Sequence, residues 1–140
     1  MGAVRIGLIG LGWMGSEHGR NIMANPKAQL AAIAEPNAKA LGAFLERQKL
    51  NCRQYTDHRD LLKDREIDAV VIASPNAMHA DMCVAAAAAD KHIYCEKPMA
   101  ITLEDCRRIR EAVSRAGVKY LIGYHRRLNP LYQYARKLLE

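Results

Sequence analysis

Gly10-Leu11-Gly12-Trp13-Met14-Gly15 spells G-x-G-x-x-G. Alone, that pattern is weak. Here it follows an apolar run, Val4 to Ile9, that reads as a buried strand, and it opens a segment with helical spacing. In that setting each glycine has its own duty. Gly10 permits a tight turn, Gly12 lets the backbone approach a pyrophosphate, and Gly15 lets the helix lie against the strand. The exposed N–H groups and the helix dipole then favour an anion. Glu35 closes a second apolar run about 20 residues beyond Gly15, where an acid can accept hydrogen bonds from ribose hydroxyls. The plain alternative is a structural strand–turn–helix beside a solvated carboxylate. Enzymes that bind S-adenosylmethionine also place an acid here, so Glu35 alone does not select a dinucleotide. Short-chain dehydrogenases are disfavoured, because no tyrosine has a lysine four residues later.

Two further segments carry polar chemistry. Ala73-Ser74-Pro75-Asn76-Ala77-Met78-His79 follows a fourth apolar run, and Cys95-Glu96-Lys97-Pro98 follows a fifth. Both fall at the carboxyl ends of expected parallel strands, the edge at which open α/β sheets bind ligands. With the glycine run, these segments resemble the Gfo/Idh/MocA family of NAD(P)-dependent oxidoreductases, which includes inositol dehydrogenases and glucose–fructose oxidoreductase. The resemblance extends over essentially the whole chain. Glu96-Lys97-Pro98 is its most specific element. Gly123-Tyr124-His125-Arg126-Arg127-Leu128 is similar to the family's passage into a second domain. Asp90 departs from the pattern, since many members carry glycine there; the departure implies no more than an altered helix end.

The resemblance implies a role for each matching residue. Gly10, Leu11, Gly12, Trp13, Met14 and Gly15 would hold the pyrophosphate, and Glu35 the ribose. Ser74, Pro75, Asn76 and His79 would line the path toward the nicotinamide. Glu96 would help place the cofactor. Lys97 would sit beside the reacting carbon and bind the substrate hydroxyl or relay its proton. Pro98 would shape the backbone there through a cis bond, and Arg127 would contact cofactor or substrate. Elementary chemistry supports Lys97 independently, because a cation near the oxygen stabilises negative charge as an alcohol is oxidised. Plainer readings stand beside these. Lys97 forms a surface ion pair with Glu96, His79 is a capping or core histidine, and Arg126 and Arg127 are a solvated pair.

These residues need a scaffold, and the pattern supplies one. Strand-like segments at Val4 to Ile9, Leu30 to Glu35, Asp68 to Ala73, His92 to Glu96 and Val118 to Gly123, with a short one near Arg53 to Thr56, alternate with helical stretches. The helices are expected from about Met14 to Ala24, Asn37 to Lys49, Asp57 to Lys63 and Ala77 to Ala89, with a further one from Thr102 to Gly117. Thr102-Leu103-Glu104-Asp105 opens that last helix like a capping box. Alternation of this kind implies parallel strands joined by right-handed crossovers. The expected fold class is α/β, a doubly wound Rossmann sheet of six strands in the order 3-2-1-4-5-6. Residues 1–123 form the dinucleotide-binding domain. Residues 124–140 read as a linker and the first helix of a second domain, with Asn129-Pro130 as cap and first helical residue and with Leu131, Ala135, Leu138 and Leu139 along an apolar face.

Bulk properties agree. Half the residues are hydrophobic and the formal charge is +6, which suits an anionic ligand. Arg107, Arg108 and Arg110 lack interleaved aromatics, so nucleic acid is not an expected partner. The five histidines and four cysteines show no metal-ligand spacing, and the cysteines read as reduced thiols of a cytoplasmic protein. No apolar run approaches the roughly 20 residues that would span a membrane. The functional expectation is an NAD-binding domain, with NADP less favoured, of an oxidoreductase that moves hydride to or from a sugar, inositol or related polyol. A homo-oligomer is expected, with the apolar face near Leu131 either packed on another copy or left mobile. In the family the second domain supplies most acid–base residues, so these 140 residues are expected to bind cofactor without turning over substrate alone. Two alternatives remain open, a non-catalytic dinucleotide-binding regulator and an NAD-dependent glycosidase.

Overall fold

The computed structural model describes residues 2–140; Met1, first residue of the expected domain, lies outside the described residues. Strands and helices alternate as β1 (Val4–Ile9), α1 (Trp13–Ala24), β2 (Ala28–Ala34), α2 (Ala38–Gln48), β3 (Arg53–Tyr55) and α3 (His58–Leu62). They continue as β4 (Ala69–Ile72), α4 (His79–Ala88), β5 (His92–Cys95), α5 (Leu103–Ala116), β6 (Tyr120–Ile122) and α6 (Pro130–Leu139). All six strands are parallel and stand in the order β3-β2-β1-β4-β5-β6, as the alternation requires.

The strands are continuous apolar runs because helices cover both faces. On one face Leu8, Leu30, Ile33 and Val71 pack against Ile22 of α1 and Leu41 and Phe44 of α2. On the other, Ile9, Ile72, Ile93 and Cys95 meet Leu61 and Leu62 of α3, Met82, Cys83, Ala86 and Ala87 of α4, and Ile109 of α5. Burying each large aliphatic chain contributes about 1.5–3 kcal/mol. The alanines of α4 let that helix lie close to the sheet. At the amino-terminal edge Arg5 donates from Nη2 to Asp68 Oδ1 at 2.7 Å and from its backbone N to Oδ2 at 2.8 Å, pinning β1 to β4. The Arg5 guanidinium holds the Asp68 carboxyl down at about 2.

Several boundaries differ from expectation, each for a local reason. β2 starts at Ala28 rather than Leu30, because Ala28 and Gln29 pair with Val4 and Arg5 before the large apolar side chains begin. The helix expected from Ala77 begins as a 3-10 turn over Asn76–Met78, with Met78 N donating to Pro75 O at 2.8 Å, and turns α-helical only at His79. β6 is confined to Tyr120–Ile122, although Gly123 N still donates to Cys95 O at 2.8 Å. Thr102 caps α5 as expected, accepting from Asp105 N and donating to Asp105 Oδ2. Helix α6 has no buried residue; Leu131, Tyr132, Tyr134, Leu138 and Leu139 are all exposed. No helix among the described residues is long and apolar enough to cross a membrane.

Position 90 gives the departure noted in the sequence a physical reading. Asp90 has φ +57, the left-handed region in which a Cβ is penalised and glycine is not. It is exposed and follows the end of α4, so its side chain offers little in return. Asp90→Gly is therefore expected to stabilise the fold by about 1 kcal/mol in urea denaturation. A loss of stability would show that the aspartate makes an interaction outweighing its backbone strain.

Candidate functional site

The crevice between β1 and β4 lies where neighbouring connections depart to opposite faces, and the G-x-G-x-x-G turn sits at its mouth. Gly10 has φ +92, and a Cβ there would stand 2.8 Å from Ala73 O. At Gly15 a Cβ would stand 2.0 Å from Gly10 O, so α1 can leave β1 at this angle only with hydrogen at that position. Gly12, the cap of α1, has open space where a Cβ would be. No side chain caps α1 and no acid lies in its first turn, whereas Asn37, Asp57, Thr102 and Asn129 cap α2, α3, α5 and α6. The free N–H groups of α1 thus face an open space backed by the helix dipole.

Glu35 leaves the end of β2 and ties this turn to the next helix. Its Oε2 accepts from Leu11 N at 2.8 Å and its Oε1 from Asn37 N at 2.9 Å. A carboxylate has about four acceptor positions, so two backbone donors leave room for ribose hydroxyls. Gly10, Leu11, Gly12, Glu35, Ser74 and Pro75 line one cleft of about 620 Å³, together with Thr56, Asp57, His58 and Arg59 from the loop after β3. That volume suits a small organic ligand. Asp57 pairs with Arg59 inside this lining, and the guanidinium holds the Asp57 carboxyl well below the usual range. Ser74 Oγ is buried at the same edge without a hydrogen-bond partner among the described residues. An orphan hydroxyl, a bare helix N-terminus and an open glycine together fit a polyphosphate-containing nucleotide.

A second cleft, of about 890 Å³, opens on the other side of the same turn. Trp13, Met14, Lys97 and Arg127 line it. Lys97 is exposed, follows the buried end of β5, and is joined to Pro98 by a cis peptide bond. Arg127 is exposed and lies over the Tyr124 ring at 5.1 Å. Asn76 is exposed in the 3-10 turn beside Pro75. The expected site residues therefore gather at one edge but divide between two clefts and the layer beneath them.

Two expected lining residues, Glu96 and His79, belong to that lower layer. Glu96 is 5% exposed; its Oε2 accepts from Lys97 N at 3.1 Å. His79 is 0% exposed, so it cannot offer a ring atom to a ligand in the cleft as the resemblance implied, and matches instead the plainer reading of a core histidine. Its Nδ1 faces Pro98 O at 2.8 Å and its Nε2 faces Ser74 O at 3.0 Å. Sequence reasoning missed His18. From α1 its Nε2 donates to Glu96 Oε1 at 2.7 Å, and its ring meets Tyr94 edge-on at 5.0 Å. The signal was present, because His18 falls three residues after Gly15 and four before Ile22, a polar residue beside buried positions of α1. Gly123 completes the packing; a Cβ there would stand 2.7 Å from the Tyr94 hydroxyl and 3.1 Å from Glu96 Oε1.

The His18–Glu96 pair bonds α1 to the turn that carries Lys97. Removing its imidazole leaves a buried carboxylate oxygen without its donor. His18→Ala should cost about 1–3 kcal/mol in chemical denaturation, and His18→Gln, which keeps a donor, should recover part of the loss. Equal stability of all three proteins would show that the pair contributes nothing.

Known proteins are similar to this chain in sequence and fold. The Gfo/Idh/MocA profile, described as an oxidoreductase family with an NAD-binding Rossmann fold, matches residues 4–124. An inositol 2-dehydrogenase of Salmonella typhimurium is 32% identical over 139 residues, covering 98% of this chain and 41% of that protein. A 2,7-anhydro-N-acetylneuraminate hydratase of Escherichia coli is 31% identical over 137 residues, covering 98% of this chain and 36% of that protein. The crystal structure of scyllo-inositol dehydrogenase from Lactobacillus casei, with bound NAD(H) and scyllo-inositol, superposes with a TM-score of 0.90 at 28% identity, covering 98% of this chain and 41% of that one. The chain thus spans about two fifths of the length of the dehydrogenases it matches.

Proposed function

The chain belongs to the Gfo/Idh/MocA oxidoreductase family, and from that premise we propose that it holds NAD for the oxidation of a cyclic polyol, an inositol or a sugar. The observation that carries this reading is the pair of clefts flanking one glycine turn. The first has the chemistry of a nucleotide site, and the second presents an exposed lysine at the end of β5. The names of the inositol dehydrogenases among its relatives support the substrate class.

The residues divide the work accordingly. Gly12 and the N–H groups of α1 receive the pyrophosphate, Glu35 the adenosine ribose, and Ser74 and Pro75 the middle of the dinucleotide. NAD, when bound, supplies the acceptor for hydride. Lys97 Nζ, at the mouth of the second cleft, stabilises the charge developing on the substrate oxygen and passes on its proton. Glu96 accepts the Lys97 backbone N–H, and through His18 it keeps this turn in register with α1. Residues 124–140, with Arg127 over Tyr124, form the passage toward the substrate side. The E. coli hydratase favours a second reading, in which the same domain serves a reaction without net oxidation. Net NADH formation from a polyol separates the two.

The carboxylates of Glu35 and Asp57 both line the first cleft, and Arg59 there is engaged by Asp57. A 2′-phosphate would meet negative charge, with only exposed Lys39 at the start of α2 to offset it. NAD should therefore bind about tenfold to a hundredfold tighter than NADP in calorimetric titration. Equal or tighter binding of NADP would falsify the assignment of Glu35 to the ribose.

Lys97 is tested by hydride transfer itself. In an active enzyme carrying this domain, Lys97→Ala should slow stopped-flow hydride transfer about 100-fold or more, with little change in NAD affinity. An unchanged rate would remove Lys97 from the catalytic set.

A further inference from the structure

His79 is fully buried, and its surroundings are unusual for a histidine. Each ring nitrogen faces a backbone carbonyl oxygen, Pro98 O at 2.8 Å and Ser74 O at 3.0 Å. A neutral imidazole has one N–H and one lone pair, so it can serve only one of these acceptors. The other oxygen would then lie against a nitrogen lone pair, with no water able to intervene, because the residue is 0% exposed. Only the imidazolium, with two donors, satisfies both.

The two carbonyls belong to different functional loops. Ser74 lies in the lining of the first cleft, after β4. Pro98 follows Lys97, which lines the second cleft, after β5. We infer that His79 is a positioning residue, a standing imidazolium that never touches ligand, and that it ties the Ser74 loop to the Lys97–Pro98 turn and fixes Lys97 relative to the cofactor cleft. The consequence for Lys97 rests on the functional reading above; the clamp itself rests on the two distances and the burial.

The surroundings are compatible with a cation. The Cys95 sulfur of β5, in its thiolate form, followed by the Pro98 and Ser74 carbonyls, holds the His79 imidazole up to about 9 against the opposing effect of burial. Behind Cys95 stand Cys83 of α4 and Tyr120 of β6. Strand β4 carries no titratable side chain. Of the charged groups on α3 and α5, Arg59 is paired with Asp57, Asp60 with Lys63, and Arg108 with Asp81 and Asp105.

Histidine-labelled 15N spectra of the 140-residue chain read the protonation state directly. One imidazole should show two slowly exchanging N–H signals at about pH 8, above the range in which an ordinary histidine is charged. If every imidazole is neutral at that pH, the clamp is refuted without recourse to a variant. Two substitutions then separate positioning from mere filling of space. The amide nitrogen of asparagine reproduces Nδ1, and that of glutamine reproduces Nε2. His79→Asn keeps the bond to Pro98 and should leave hydrogen exchange of the Lys97 amide nearly unchanged. His79→Gln keeps only the bond to Ser74 and should speed that exchange about tenfold or more. Equal acceleration in both variants would reduce His79 to a packing residue. Calorimetric titration of the wild-type chain with NAD runs alongside. Failure of NAD to bind would overturn the cofactor reading while the doubly protonated signal stood, and a neutral imidazole would overturn the clamp while NAD binding stood.

Discussion

The carbonyl oxygen of Gly10 and the Cα of Gly15 approach so closely that a methyl group at position 15 would overlap the oxygen, at 2.0 Å. This backbone-to-backbone contact sets the direction in which α1 leaves β1, and much of the site follows from that direction. It aims the unpaired N–H groups at the crevice instead of at solvent beside it. It places Leu11 N within 2.8 Å of Glu35, so that the carboxylate stapling the turn is also one that lines the first cleft. It also brings His18, one helical turn later, to the buried end of β5, where Glu96 waits. A side chain at position 15 would disturb the glycine turn, the Glu35 staple and the His18–Glu96 bond together.

A second design is the separation of surface from support. The groups at the two clefts are exposed or half-buried: Gly12, Trp13, Ser74, Pro75, Lys97 and Arg127. Beneath them lie two buried polar residues whose partners are all protein, Glu96 with His18 and the Lys97 amide, and His79 with two carbonyls, while His18 itself also lines the second cleft. Polar groups in such places cost free energy unless every hydrogen-bonding atom is matched. Matched, they hold loops more rigidly than aliphatic packing does, because each bond fixes an angle as well as a distance.

The division between surface and support also explains what could be read from the chain. The glycine turn, Glu35 and the strand order are written in adjacent residues or in the repeat of strand and helix, and local pattern suffices for them. Ser74, Lys97 and Arg127 were legible as residues that follow strand ends, and they line the two clefts. The partnership of His18 with Glu96 spans 78 residues and depends on how α1 crosses the sheet, which no local window contains. His79 was visible as a histidine at the head of an alanine-rich helix, but its burial comes from β5 and the Pro98 turn folding over it. The late start of α4 has the same origin, since the 3-10 turn carries the chain from Pro75 to a ring already bonded on both sides.

The central placement of β1 bears on the order in which the molecule assembles. Arg5 N bonds Asp68 across 63 residues, and β1 lies between β2 and β4. Half of the nucleotide crevice therefore waits for a distant segment of chain, while β1, α1 and β2 can associate early. Closing so long a loop forfeits entropy before its contacts form, which makes such pairings late events in folding. A ligand bridging the glycine turn and Ser74 then recognises only chains that have passed this step. It would act mainly as a brake on unfolding, with little effect on the rate at which the sheet first forms.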